Sequence, residues 1–556
     1  MRLTSSPRVR VYDAVIIGSG ATGGWAALEL TRSGLDVAVL EAGPMLTNAQ
    51  MFDPYLPEHL QPYRGLDGGW IDRTFYVDKT EHPYSTPTDR PFNWTRSRHV
   101  GGKSLIWSRG TPRMTEFDFN SPALHGYGIP WPIEYADLKP YYDEVEDFIG
   151  VSGINEGNPA ELPDAILLPP QSYTPIEWQL KKSNESRLGR VTTMIRSATL
   201  TRDHLGRKGL YSAPAVSGRQ PEARFSSVVS TLPAAARTGR MHLRPDTIVS
   251  HLTLDPHNPD RPRGVWCVDR LRPSEHFEIQ GRMIFMCASA LESTRILLNS
   301  VSRHHPNGFA NSSGSLGRYL MDHHNLVSVR GIFEDFDPAN DGPWLSTRAT
   351  ANAWVPRFQN LGRTPDRPYL GGFHAQMWSV ISETDDAAGF DGFGLELKRR
   401  KSSVKRAWLG GFNGHGEMLP RWENHCRLDG SLKDRWGIPA LHIDCAFTDN
   451  ERAMAQDMAA SYQEMIELAG AKQVSVRNRG TIPGDAIHEC GTARMGSDPR
   501  NSYLNAFNQS HSAPNLFVTD GASLTSSANQ NPTLTLMALT LRASRYAVRE
   551  LRAGRI

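Results

Sequence analysis

An α/β fold containing a Rossmann-like nucleotide-binding unit is predicted by three observations. A short apolar run, residues 11–17, ends in a glycine-rich turn, Gly18-Ser19-Gly20-Ala21-Thr22-Gly23-Gly24. Residues 25–30 then have helical composition, and Gly34 closes the helix. A second strand-like run, residues 36–40, ends in Glu41, 23 positions after Gly18. Strand, glycine turn, helix, strand and terminal acid therefore fall into one register.

Each residue type in that unit has a physical reason. Gly18 permits the tight turn, Gly20 lets the backbone approach a pyrophosphate, and Gly23 lets the helix pack closely on the strand. The helix start offers free N–H groups and a partial positive charge to phosphates. Glu41 can accept hydrogen bonds from ribose hydroxyls.

Composition bounds the rest. The 556 residues allow about three or four domains. Counting Gly and omitting Tyr, about 45% of the chain is apolar, an ordinary globular value that excludes a disordered or fibrous protein. The 61 Lys+Arg against 59 Asp+Glu leave a net charge of +2, which argues against nucleic-acid binding. No stretch approaches 18 uninterrupted apolar residues, so no membrane span is expected. The five cysteines, Cys267, Cys287, Cys426, Cys445 and Cys490, are scattered and odd in number. They form neither a disulfide framework nor a metal site. With a polar start and no signal-like segment, the expected location is cytoplasmic.

The middle of the chain is less regular. Residues 48–90, rich in Pro, Gly, Tyr and Asp, read as long loops. Residues 131–148 carry Ile133, Tyr135, Leu138, Tyr141, Val145 and Phe148 at helical spacing, as a core-packing stripe does. A strand at 283–287 runs into a helix at 290–298, and 451–468 reads as an amphipathic helix. The basic run 398–406 is a solvated loop or a docking patch for an acidic partner.

The C-terminal part is dense in signals again. It holds His488-Glu489-Cys490-Gly491-Thr492, then Leu516-Phe517-Val518-Thr519-Asp520-Gly521, a strand followed by an acid–glycine turn, then Asn531-Pro532-Thr533-Leu534 opening an apolar helix. Pro532 suits the first helical turn and Asn531 its cap. A histidine in a glycine-rich loop is often structural, so His488 alone does not establish chemistry.

Together with the central Arg98-His99-Val100-Gly101-Gly102-Lys103-Ser104, these motifs resemble the glucose–methanol–choline (GMC) oxidoreductases, in the family's order and along essentially the whole chain. Thr111-Pro112-Arg113, Tyr141-Tyr142-Asp143 and residues 531–539 look closest to the sugar-oxidising branch, which includes pyranose 2-oxidase and glucoside 3-dehydrogenases. The resemblance implies a discontinuous Rossmann-like FAD-binding domain (8–115, 222–320 and 478–556). It also implies an α+β substrate-binding domain (116–221 and 321–477) with a sheet over the flavin.

Carried over by position, Gly18, Gly20, Gly23 and Glu41 hold the ADP half of FAD. Arg98, Gly101, Gly102 and Ser104 lie against the pyrophosphate and flavin, and Asp520 and Gly521 close near the ribityl chain. His488 and Asn531 face the flavin from the substrate side, Asn531 and Pro532 also touching the cofactor. Two departures matter. Pyranose 2-oxidase attaches FAD through a histidine where this chain has Ile106, which implies non-covalent FAD. Cytochrome-coupled relatives carry a cysteine cluster, whereas 206–230 has no cysteine and cannot supply iron–sulfur ligands.

The expected reaction is oxidation of a secondary hydroxyl of a pyranose or glycoside, with His488 as base and Asn531 orienting the alcohol. C3 oxidation is expected ahead of C2 oxidation of a free sugar; a non-redox lyase on the same fold is the rival. Glu417 is a weaker candidate for a sugar-hydroxyl contact. Oxygen or a diffusible quinone is the expected acceptor. No metal is expected, and assembly into a homo-oligomer is left open.

Overall fold

The computed structural model describes residues 2–3, 10–46, 77, 79–158, 162–210, 221–336, 353–383, 394–396, 406–478 and 482–556. Most of the expected loop at 48–90 and of the basic run at 398–406 lies outside these residues. The described chain forms three sheets and a set of helices around them.

The largest sheet has eight strands. Its order is β1 (Arg2–Leu3), β6 (Met241–Arg244), β3 (Val37–Leu40), β2 (Val11–Ile17), β9 (His276–Met286), β8 (Asn258–Asp269) and β7 (Thr247–Asp255), with β17 (Leu516–Val518) also pairing β9. Pairing from β1 through β9 and β17 is parallel, while β7, β8 and the start of β9 run antiparallel. All four residues of β3 are buried, as a parallel strand covered on both faces requires. Helix α1 (Ala21–Arg32) covers one face, with Trp25 wholly buried and its ring edge-on to Phe148 at 5.2 Å.

Six strands build a second sheet: β16 (Lys472–Asn478), β10 (Val327–Phe333), β13 (Arg406–Asn413), β12 (Ala375–Glu383), β11 (Ala353–Val355) and β5 (Thr193–Met194). Side chains alternate across it. Val327, Val329, Ala375, Met377 and Phe412 join a core with Met454, Met458 and Tyr462. Their neighbours Ser328, Gln376 and Asn413 face a large cavity instead. A small third sheet joins β14 (His425–Lys433), β15 (Pro439–Asp444) and β4 (Tyr84–Ser85).

The remaining long helices match the sequence periodicity with shifted ends. The stripe at 131–148 becomes α2 (Tyr135–Ile149), which buries Leu138, Tyr142, Val145 and Ile149. Tyr142 rather than Tyr141 takes the fully buried position, its hydroxyl 2.7 Å from Thr535. Helices α3 (Ala290–Asn299), α4 (Asp449–Leu468) and α5 (Thr533–Arg552) stand where apolar periodicity put them. One cap differs from expectation. Helix α5 starts at Thr533 with Pro532 in the N-cap position, and no side chain caps it. Asn531 precedes the cap and turns its amide to a strand of the second sheet.

Candidate active site

One cavity of about 710 Å³ is lined both by the turn after β2 and by the second sheet. On the first wall stand Gly18, Ser19, Gly20, Ala21, Thr22 and Glu41. The turn depends on two glycines. A Cβ at Gly18, whose φ is +99°, would lie 2.3 Å from the carbonyl oxygen of Cys287; one at Gly23 would lie 2.0 Å from that of Gly18. At Gly20 a Cβ would meet only the Gly101 carbonyl, at 3.9 Å.

No side chain caps α1, and its first turn carries no acidic residue, so its N–H groups open toward the cavity. That arrangement suits a pyrophosphate. Glu41 closes this wall. Its carboxylate accepts from Ser19 Oγ (2.6 Å), Ser19 N (3.2 Å) and Gly43 N (3.0 Å), and burial raises its pKa. Size, uncapped helix and glycine cradle fit a dinucleotide such as FAD.

The central motif packs against this turn. Gly101 N donates to Ser19 Oγ at 3.0 Å. Ser104 Oγ donates to the Gly101 carbonyl (2.6 Å) and accepts from Ser227 N (3.0 Å), so its hydroxyl locks two segments together. Gly102 and Ser104 line the cavity; Gly101 is buried beside them. Arg98 also lines it, with Nη2 donating to Glu292 (2.9 Å) and to His82 (3.0 Å). Its buried Nη1 has no partner among the described residues, a free donor that an anionic group could take. Asp520 accepts from Ser293 Oγ (2.5 Å) and Ala522 N (3.1 Å), and burial pushes its pKa up to about 6. Gly521 follows on the same wall, and Ile106 stands there too.

His488, Asn531 and Pro532 form the opposite end. Backbone strain is concentrated just before His488, where Ile487, a β-branched residue, sits at φ +62°. The Asp322 carboxylate compensates by accepting from Gly484 N (2.8 Å), Ala486 N (3.2 Å) and His488 N (2.9 Å). Paired hydrogen bonds between Met321 and Cys490 fasten the next residues.

Three further histidines surround His488. Its Nδ1 is 2.8 Å from His323 Nδ1, its ring centroid is 4.8 Å from that of His415, and His415 lies 5.2 Å from His374. Burial holds His323 and His374 down to about 4 and about 3. Burial first, then the neighbouring histidines, depresses His415; burial, His323 and Lys103 depress His488. All four are neutral imidazoles at neutral pH. His323, His415 and His488 offer ring nitrogens within 4.8 Å of one another.

The candidate substrate contact Glu417 stands elsewhere. It does not line the cavity; its carboxylate accepts from Tyr127 OH (2.8 Å) and pairs with Arg357 at 3.5 Å. Past the end of β13 the backbone threads Gly416 under His324, where a Cβ would lie 2.0 Å from that ring. This path leaves His415 on the cavity and Glu417 in the packed interior. Sequence reasoning singled out neither His415 nor Gln376 and His323, all contributed by segments distant in the chain. The one available signal was His415 in the same Gly-flanked stretch as Glu417.

Comparison with known proteins bears on this geometry. Residues 420–540 match the family model described as GMC oxidoreductase. The chain is 28% identical to 2-methyl-1,2-propanediol dehydrogenase of Mycolicibacterium austroafricanum, covering 97% of this chain and 95% of that one. It is 28% identical to paromamine 6'-oxidase of Streptomyces fradiae, with 98% and 92% covered. Over about half its length (52%, and 50% of the relative) it is 26% identical to C-glycoside 3-oxidase of Arthrobacter globiformis. Pyridoxine 4-oxidase from Mesorbium loti has the same fold, with a TM-score of 0.61 at 18% identity over 96% of this chain and 98% of that one.

Proposed function

We propose, for a chain that belongs to the GMC oxidoreductases, an FAD-dependent enzyme family, that it oxidises a secondary hydroxyl of a pyranose sugar or glycoside to the keto sugar, at C3. The observation that carries this reading is that His488 and Asn531 line the same cavity as the Gly18–Glu41 unit. The FAD-binding domain is proposed as 8–115, 222–320 and 478–556, the segments that supply the eight-stranded sheet apart from β1. The substrate-binding domain is 116–221 and 321–477.

Gly18, Gly20, Gly23 and Glu41 hold the ADP half of FAD. Arg98, Gly101, Gly102 and Ser104, with Asp520, Gly521, Asn531 and Pro532, hold the remainder. FAD supplies the two-electron acceptor for the carbinol hydride. Attachment is proposed to be non-covalent, a reading supported by Ile106, a cavity-wall residue with no nucleophilic atom at the position where the resemblance places a linking histidine.

The alcohol proton needs a separate acceptor. His488 is neutral, because burial disfavours its charged form, and it receives that proton. Asn531 has no basic atom and serves by hydrogen-bonding the alcohol oxygen, fixing the carbon in place. The uncapped N-terminus of α5 points its partial positive charge at this end of the cavity. The second sheet excludes bulk water by roofing the site with Ser328, Gln376 and Asn413.

Sugar as substrate and C3 as position are supported by the motifs of the sugar-oxidising branch and by the likeness to C-glycoside 3-oxidase. Reduced enzyme passes electrons to oxygen or to a diffusible quinone-type acceptor, since the five cysteines are buried and isolated and offer no cluster ligands. NMR of the product tests the position. A new ketone at C3 supports it, and a carbonyl at C2 or C6 overturns it.

A further inference from the structure

We infer that His323 is a positioning residue that fixes the tautomer of His488, so that Nε2 of His488 carries the lone pair facing the cavity; this rests on the role proposed for His488 above. His323 Nε2 lies 2.8 Å from the Ala528 carbonyl oxygen and 3.3 Å from that of Ser527. A carbonyl oxygen only accepts, so His323 Nε2 carries the hydrogen.

His323 is fully enclosed, its relative exposure being 1%, and faces the imidazoles of His415 and His488 with no carboxylate on its ring nitrogens. It is therefore neutral, and its Nδ1 bears a lone pair. Its Nδ1 is 2.8 Å from His488 Nδ1. Two lone pairs cannot share that distance, so His488 Nδ1 is the N–H donor. His488 Nε2 is then the unprotonated nitrogen, with no hydrogen-bond partner among the described residues.

The consequence is chemical. Taking a proton makes His488 an imidazolium in a buried site where burial and Lys103 oppose the charge. The Nδ1–H bond to His323 strengthens when its donor is charged. The proton leaves the alcohol O–H and bonds to Nε2, Nδ1–H stays in place, and no proton moves onto His323. The arrangement resembles that of a carboxylate orienting a catalytic histidine, with a neutral acceptor in its place. Asp322 holds the backbone of the His488 loop and is the covalent neighbour of His323, so both rings are referred to one segment.

Two substitutions separate orientation from packing. His323→Phe keeps the ring and removes the acceptor; His323→Asn offers Oδ1 near the position of Nδ1. With FAD content matched and sugar saturating, anaerobic flavin reduction should slow about a hundredfold in His323→Phe and stay within about tenfold of wild type in His323→Asn. Sugar affinity should change by less than about threefold. Equal slowing in both variants, or a wild-type rate in His323→Phe, overturns the inference.

A spectroscopic readout needs no His323 variant. In holoenzyme with ¹⁵N-labelled histidine, the signals lost in His488→Gln should report Nδ1 protonated and Nε2 pyridine-like. The opposite tautomer overturns the inference whatever the kinetics. If His488→Ala reduces flavin normally, the proposed base is wrong, while the tautomer result still stands by itself.

Discussion

The side-chain amide of Gln376, on β12, donates to Oδ1 of Asn531 at 3.1 Å, and so determines which way the Asn531 amide faces. Gln376 is itself oriented. Its Nε2 lies 2.9 Å from His374 Nε2, while His374 Nδ1 meets Asn529 Oδ1 at 3.3 Å. His374 therefore donates through Nδ1 and accepts through Nε2, which makes the Gln376 nitrogen the donor to both partners. With its oxygen engaged, Asn531 would have its N–H₂ left to donate to the alcohol oxygen in the role proposed for it. Gln376→Leu should release the amide to rotate and lower kcat/KM by about tenfold with FAD retained, the scale of one lost neutral hydrogen bond. Unchanged kcat/KM would remove Gln376 from the site.

The glycine turn yields a paired prediction. Gly23→Ala drives a methyl into the Gly18 carbonyl and should cost several kcal/mol, at the severe end for one substitution. Little folded enzyme should be recovered. Gly20→Ala has open space and should fold with near-normal Tm, yet bind FAD at least about tenfold more weakly, because the methyl intrudes on a cavity wall. Equal behaviour of the two variants in thermal melts and flavin titration would contradict the assigned roles.

Attachment of the cofactor is checked by acid precipitation. The supernatant should be yellow and the pellet colourless. Flavin retained by the pellet would require a covalent link that Ile106 cannot make.

The local parts of this chain were legible and the convergent parts were not. The unit from Val11 to Glu41 reads directly because strand, turn, helix and acid are contiguous and each residue type has a local reason. His488 and Asn531 were legible only as members of motifs. Their surroundings come from β12, from the stretch after β13 and from the segment before β10, gathered by the second sheet, with His323 and Gln376 meeting His488 and Asn531 across 165 and 155 residues. His415 and Glu417 were two titratable groups in one Gly-flanked stretch, and only the threading of Gly416 beneath His324 decides which one faces the cavity. The cap of α5 failed for a related reason: Asn531 has capping chemistry, but Gln376 engages its oxygen.

Glu417 gives a pH signature. Burial, the largest cause, raises its pKa from an ordinary 4.5 to about 7, against the lowering effect of Arg357. A carboxyl with a raised folded pKa binds its proton more tightly when folded. Its contribution to stability is complete below the unfolded pKa and is lost as pH rises toward about 7. Glu417→Gln should therefore gain Tm relative to wild type as pH goes from 5 to 8. A difference that stays flat, or that falls, would show Glu417 to be ionised in the fold throughout.

The most direct test of the proposed chemistry is the anaerobic rate of flavin reduction at saturating glycoside in wild type and in His488→Ala of equal FAD content. Wild type should bleach in a single turnover, and His488→Ala should be slower by about a hundredfold or more, with Asn531→Ala losing less. Equal rates in wild type and His488→Ala would contradict the assignment of His488 as the proton acceptor.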